Sequence, residues 1–127
     1  MIHELRLGGS VIIGPPIYGP EKWKTLHGAR LFLFPSRWDS SSMMALEAAG
    51  AGVPIVATDS TFIARELANN GAAILVDATP ASIAEAVLRV FSDPAQEIAA
   101  DAANLVRERF SWPAVSQRLL DQLESLV

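Results

Sequence analysis

The stretch LFLFPSRWDSSSMMALEAAGAGVPIVA, residues Leu31–Ala57, decides the fold. It contains two short apolar runs, Leu31–Phe34 and Pro54–Ala57, in which apolar and polar residues do not alternate. Runs of this kind are typical of strands in a parallel sheet that is covered by helices on both faces. The residues between the two runs predict a loop followed by a helix. The stretch is therefore interpreted as a strand–helix–strand unit.

Two carboxylates lie close to the start of the helix in this unit. The helix is predicted to begin near Ser41 or Ser42 and to end by Gly52. Asp39 precedes the helix in the loop, and Glu47 lies about one and a half turns inside it. Because these acids follow a strand end, we expect the functional site to lie in this unit.

The rest of the chain repeats the alternation of strands and helices. Further strands are predicted at Val11–Ile13 and Ala72–Val76. Helices are predicted at about Glu21–Leu26, Phe62–Ala68 and Pro80–Ser92, from Asp93-Pro94 to about Arg109, and after Ser111. This order predicts a doubly wound, mostly parallel α/β sheet of about four strands, flanked by helices and followed by extra C-terminal helices. We expect one domain over residues 1–127, with 1–10 as a lead-in and 111–127 as a C-terminal helix.

Apolar periodicity predicts which helix faces are packed. Thr79 is the predicted N-cap of the helix that begins at Pro80. The residues of this helix that share one face, and are expected to lie on the sheet, are Ile83, Ala84, Val87, Leu88 and Phe91. The last helix carries a comparable stripe made of Trp112, Val115, Leu119, Leu123 and Leu126. That stripe is expected to be a packing face, or an exposed apolar patch where no partner covers it.

Composition excludes several classes of protein. The 127 residues carry a formal net charge of −4, and half of them are apolar. Without a basic stripe, nucleic acid is not expected as the main partner. The chain has no cysteine, which excludes disulfides and thiolate metal sites and suits a reducing cytosol. No stretch of the sequence is long and apolar enough to predict a transmembrane segment.

The residues around the two acids suit a phosphorylated sugar ligand. Ligands of open α/β sheets bind at the carboxyl ends of the strands. There the backbone amides of Ser41, Ser42 and Met43, at a helix N-terminus, are suited to an anion such as phosphate. Glu47 lies about 7–8 Å further along the helix axis, where its carboxylate could accept hydrogen bonds from ribose hydroxyls. Asp39 could accept from a second sugar. Together these groups predict a nucleotide-sugar site.

Four motifs of the chain resemble a known family. They are Pro35-Ser36-Arg37-Trp38-Asp39, Leu46-Glu47-Ala48, Gly52-Val53-Pro54-Ile55-Val56-Ala57-Thr58 and Phe110-Ser111-Trp112. They are similar to motifs of the retaining glycosyltransferases of the GT-B fold, often labelled group 1 or family 4. The family hallmark is a pair of acidic residues separated by seven others, and Asp39 and Glu47 have this spacing. The resemblance is to the later part of the Rossmann-like C-terminal, donor-binding domain. The acceptor domain of the family, and the opening of its donor-binding domain, have no counterpart in this sequence.

The resemblance implies a role for each matching residue. The implied ligands are the donor sugar for Asp39 and Ser40, the diphosphate for Ser41, Ser42 and Met43, and the ribose for Glu47. It implies a nucleotide-sugar substrate, transfer of a hexose to a glycan or lipid acceptor, and neither cofactor nor metal. It assigns no catalytic nucleophile. It also implies a cytoplasmic protein, which would reach the inner face of a membrane only through the missing part, and little activity without a missing N-terminal domain or second chain.

The chain departs from the family pattern at the first acid. The family usually has glutamate where Asp39 stands, followed by a glycine and a bulky apolar residue where Ser40 and Ser41 stand. The alternative interpretation is a non-catalytic α/β module that binds a nucleotide or a protein partner. A phosphoacceptor receiver domain has the same alternation of elements, but its acidic pair has no counterpart in Gly14-Pro15-Pro16.

Overall fold

The computed structural model describes residues 1–39, 42–92 and 96–126, with the backbone alone for residues 96–100. In these ranges the helices are α1 (Gly19–Gly28), α2 (Met43–Gly50), α3 (Phe62–Asn69), α4 (Pro80–Ser92), α5 (Gln96–Arg109) and α6 (Trp112–Glu124). The strands are β1 (Phe32–Phe34), β2 (Ile55–Thr58) and β3 (Ile74–Val76). The predicted start of the fifth helix at Asp93-Pro94 lies outside the described residues.

The strands form one parallel sheet in the order β1-β2-β3. All four residues of β2 are buried, as the absence of alternation in this run predicts. Ile55 and Ala57 belong to the larger core cluster, which includes residues of α2, α3 and α5. Val56 belongs to a second cluster, with residues of α4. Since successive strand residues point to opposite faces, helices cover both faces of the sheet, and the doubly wound α/β prediction is confirmed.

The predicted strand at Val11–Ile13 is wrong. The described part of the sheet has three strands rather than about four. The segment is irregular, and the side chains of Ile12 and Ile13 are 93% and 83% exposed. A short apolar run forms a strand only when a neighbouring strand satisfies its backbone and buries its side chains. Here neither condition is met.

Alanine residues bring α2 close to α5. Ala45, Ala48 and Ala49 are the buried residues of α2, and Ala102 on α5 is also fully buried. A Cβ added at Gly50 would lie 3.4 Å from Val106 Cγ1 on α5. This close contact holds α2 against α5. The N-terminus of α2 lies on the side of the carboxyl end of β1.

Helix α2 ends where the sequence predicts. Gly52 follows it with a φ of 72°, in the left-handed region that favours glycine. The amide of Gly52 donates to the Ala49 carbonyl at 2.9 Å, and the chain then enters β2. The turn is therefore fixed by a residue without a Cβ.

The buried face of α4 differs from the predicted one. Its buried residues are Ala86 and Val90, which pack with Val56. Leu88, assigned to the sheet face from periodicity, is 67% exposed, and Phe91 lies under the guanidinium of Arg30, 4.6 Å from its ring centroid. Apolar residues occur around much of this helix, and the small Ala86 side chain allows closer approach to the sheet than a leucine would.

The predicted caps are confirmed. Thr79 Oγ1 accepts from the Ser82 amide at 3.2 Å, and Ser111 Oγ accepts from the Ala114 amide at 3.4 Å. Helix α6, which follows Ser111, has no buried residue in the described structure. Of the helices in the described ranges, none combines the length and the apolar character needed to cross a membrane.

Replacing Thr61 by alanine is expected to lower the free energy of unfolding by about 1–2 kcal/mol. Thr61 is buried, and its Oγ1 accepts from the Ala64 amide at 3.0 Å at the start of α3. The substitution leaves that amide without its partner in a place from which water is excluded. The control is Thr79→Ala at the exposed cap of α4, where water replaces the hydroxyl. Equal losses for the two variants in urea denaturation would contradict the argument.

Candidate functional site

The carboxyl ends of β1, β2 and β3 meet at one edge of the sheet, because the strands are parallel. A cleft of about 380 Å³ lies there. Its polar lining residues are Ser36, Arg37, Thr58, Asp59, Ser60 and Asp77. Open α/β sheets bind their ligands at this edge, so the fold places a polar cleft where a ligand is expected.

Thr58 connects the ends of two strands beside this cleft. Its hydroxyl donates to the Ser36 carbonyl and lies 3.3 Å from the Ser60 hydroxyl. Ser36 Oγ in turn donates to the Trp38 carbonyl at 2.9 Å. These bonds fix the loop after β1, which leads to Asp39. The Ser36 carbonyl lies 22 residues before Thr58 in the chain, so no local sequence pattern predicts this bond.

The N-terminus of α2 follows the same loop. Ser42 is the N-cap, and its buried Oγ accepts from the Ala45 amide at 3.2 Å. The first amides of a helix have no partner within the helix, so this end carries partial positive charge. Met43, the first residue of α2, has an exposed side chain. Ser40 and Ser41 lie outside the described residues.

Both acids of the pair are described. Asp39 is half-buried in the loop between β1 and α2. Glu47 lies on α2, and its side chain is 23% exposed. Glu47 Oε1 accepts from Lys22 Nζ on α1 at 2.6 Å. The structure therefore places Asp39, Ser42, Met43 and Glu47 along one loop–helix segment at the carboxyl edge of the sheet.

Sequence reasoning missed Lys22. The residue precedes Glu47 by 25 positions, and no spacing or motif connects the two.

Asp59, which lines the cleft, is paired with Arg65 of α3. Within the described residues, no three metal-ligating side chains come together as a candidate metal site.

Comparison with known proteins gives relatives over nearly the whole chain. The D-inositol 3-phosphate glycosyltransferase of Corynebacterium urealyticum is 32% identical over 99% of this chain and 30% of its own length. D-inositol 3-phosphate glycosyltransferase 1 of Catenulispora acidiphila is 29% identical over 98% of this chain and 30% of its own length. The chain thus spans about a third of the curated relatives it matches.

A solved structure has the same fold. Sucrose-phosphate synthase from Thermosynechococcus elongatus superposes with a TM-score of 0.85 at 22% identity, over 98% of this chain and 32% of the synthase chain. At this identity the likeness concerns the Rossmann-like α/β fold. The family model described as "Glycosyl transferases group 1" matches residues 1–109, which include the whole candidate site. The chain therefore belongs to the group 1 glycosyltransferase family.

Proposed function

We propose that this chain is the nucleotide-sugar donor-binding part of a retaining glycosyltransferase of family 4, which transfers a hexose to a glycan or lipid acceptor. The observation that carries the proposal is the segment from Asp39 to Glu47. This segment contains the capped N-terminus of α2 at the carboxyl edge of a parallel sheet. One half-buried acid, Asp39, precedes the helix, and the other, Glu47, lies inside it. Such an edge is where nucleotides bind in doubly wound folds.

The diphosphate is proposed to bind the start of α2. The backbone amides at the start of α2, including that of Met43, are hydrogen-bond donors, and they lie at the positive end of the helix dipole. The Ser42 hydroxyl is engaged in capping, so it is the backbone of Ser42, rather than its side chain, that we assign to the phosphate. Ser41 is proposed to contribute its amide in the same way.

The ribose is proposed to bind Glu47. The carboxylate lies about one turn beyond the first residue of α2, which is a suitable separation between a diphosphate and the ribose attached to it. A carboxylate has two oxygens, each with two acceptor sites. The bond from Lys22 to Oε1 therefore leaves acceptor capacity for a pair of hydroxyls.

The donor sugar is proposed to lie on the other side of the helix start. Asp39 and Ser40 would contact it, with the Thr58–Ser36 bond holding the loop in place. The cleft lined by Ser36, Arg37 and Thr58 lies next to this loop and, although Asp39 is not among its lining residues, it offers room for the hydroxyls of a sugar. No protein nucleophile is assigned, and the donor is the substrate rather than a cofactor.

The acceptor is proposed to be bound by a part that this chain does not contain. The named relatives are about three times as long and include D-inositol 3-phosphate glycosyltransferases. We propose that the chain alone has little or no transferase activity, because it spans only about a third of those relatives and would lack one wall of the cleft. A cytoplasmic location is proposed for the complete enzyme.

The experiment is a titration of the chain with UDP, GDP, ADP and their sugars by calorimetry. We expect one nucleotide series to bind, and Glu47→Gln to weaken it about 10- to 100-fold, since hydrogen bonds to a charged group contribute about 1.5–3 kcal/mol. Glu108→Gln on the exposed surface of α5 is the matched control and is expected to bind as the parent does. Binding that Glu47→Gln leaves unchanged would refute the ribose assignment, and absence of binding by the parent chain would refute the donor role.

The second candidate is a non-catalytic module that pairs with a protein partner. The apolar face of α6 favours it, because Trp112 is 84% exposed and Leu119 and Leu123 are about half exposed. Contiguous apolar surface of this kind marks many interaction sites. Sedimentation analysis separates the candidates: a strict monomer that binds a nucleotide-sugar supports the donor-binding role alone.

A further inference from the structure

Lys22 links the first helix of the chain to the proposed ribose site. Its ammonium lies 2.6 Å from Glu47 Oε1, and the two side chains are only 24% and 23% exposed. Helix α1 thus contributes to a site otherwise built from the unit of β1, α2 and β2. A contact at this distance between partly buried charges is a strong, charge-assisted hydrogen bond rather than a loose surface pair.

A tryptophan lies beside the same ammonium group. Lys22 Nζ is 5.3 Å from the centroid of the Trp23 ring, within the range of a cation–π contact. The Trp23 ring itself lies beside the His27 ring, with 6.5 Å between the two centroids. The backbone carbonyl oxygen of Trp23 lies 2.7 Å from His27 Nδ1. The ammonium group therefore has two partners, which restrict the positions it can take.

The bond to Lys22 also changes what Glu47 presents to a ligand. A nucleoside diphosphate is an anion, and a carboxylate about one turn from its phosphates repels it. Lys22 makes the pair neutral in total. Lys22 also binds one oxygen of the Glu47 carboxylate, Oε1, so the direction of the other oxygen is restricted before the ligand arrives. Preorganisation of this kind lowers the entropy lost on binding.

We propose that Lys22 is the positioning residue of the nucleotide site: it orients the Glu47 carboxylate toward the ribose hydroxyls and offsets its charge against the diphosphate. The proposal rests on the proposed donor-binding function. It predicts that Lys22 controls discrimination between ligands with and without ribose hydroxyls, although it does not itself contact the sugar.

The test compares a nucleoside diphosphate with its dideoxy counterpart, which lacks both hydroxyls of the ribose ring. The nucleotide is the one that the parent chain binds best. Dissociation constants are measured for the parent, Lys22→Met, Glu47→Gln and the double variant. The parent is expected to prefer the ribonucleotide about 10- to 100-fold. In Lys22→Met this preference is expected to fall to within about threefold of the Glu47→Gln value, with no further loss in the double variant.

Two further variants separate positioning from general effects of charge and folding. Lys24→Met removes the same charge from an exposed position on α1 and is expected to keep the parent preference. Lys22→Arg keeps the positive charge at this position and is expected to recover part of the preference for the ribonucleotide. A Lys22→Met chain that binds both ligands more weakly by the same factor would overturn the proposal, because it would indicate direct phosphate contact or general destabilisation.

The outcomes also distinguish this proposal from the one on which it rests. If the parent binds and prefers the ribonucleotide while Lys22→Met retains the full preference, only the role of Lys22 is refuted. If the parent binds no nucleoside diphosphate, or shows no preference for the ribose hydroxyls, the assignment of Glu47 is refuted and the role of Lys22 with it.

Discussion

Replacing Leu67 by alanine is expected to lower the free energy of unfolding by about 2–5 kcal/mol. Leu67 lies on α3, has no exposed surface, and is among the largest fully buried side chains of the described structure. It belongs to the core cluster that joins α3 to α2, α5 and the sheet. Truncation removes apolar contacts and leaves a cavity, because close-packed neighbours collapse only in part.

The control is Leu88→Ala on α4, since Leu88 is 67% exposed. The same atoms are removed there from a position that water already reaches, so a change within about 0.5 kcal/mol is expected. Urea denaturation followed by circular dichroism measures both. A domain of this size has about 5–15 kcal/mol of stability, so the first variant loses a large share of it. A Leu67→Ala loss no larger than that of Leu88→Ala would show that the core is not formed as described.

Replacing Ala48 by leucine is expected to destabilise the chain by about 1–3 kcal/mol or more and to weaken nucleotide binding as well. Ala48 has no exposed surface and belongs to the same core cluster as Ala102 and Leu105 of α5. The added carbon atoms have no space unless α2 moves. Because the N-terminus of α2 is the proposed phosphate site, displacement of the helix changes both properties together.

Ala84→Leu on α4 is the matched control for this variant. Ala84 is an exposed residue in the interior of a helix, where leucine has nearly the helix propensity of alanine. Its stability and its nucleotide affinity are expected to match those of the parent. Thermal unfolding and the same calorimetric titration measure the two effects. Loss of stability in Ala48→Leu with unchanged affinity would show that the start of α2 does not take part in binding.

Several elements could be predicted from local sequence because their causes are local. Gly52 ends α2 through a backbone conformation that other residues adopt at a cost. Thr79 and Ser111 cap their helices through hydroxyls three residues from their partners. The non-alternating run of β2 indicated a strand buried on both faces, and the two clusters around it confirm this. The strand–loop–helix pattern likewise put Asp39 in the loop after β1 and Glu47 inside α2.

Contacts between distant segments could not be predicted in the same way. The strand predicted at Val11–Ile13 needed a neighbour that the fold does not supply, and its side chains remain exposed. The buried face of α4 depends on how closely Ala86 approaches Val56, which periodicity along one helix does not contain. For the same reason the expected sheet contact of Leu88 is wrong.

The sequence by itself determined the parallel α/β class, the helix ends and the position of the acid pair, since these follow from interactions over a few residues. Only the tertiary structure decided the partner of Glu47. Lys22 of α1 reaches it across 25 positions of the chain, and no local preference encodes that contact. The polar cleft that Thr58 lines also depends on tertiary structure, because the three strand ends meet only after the sheet has formed.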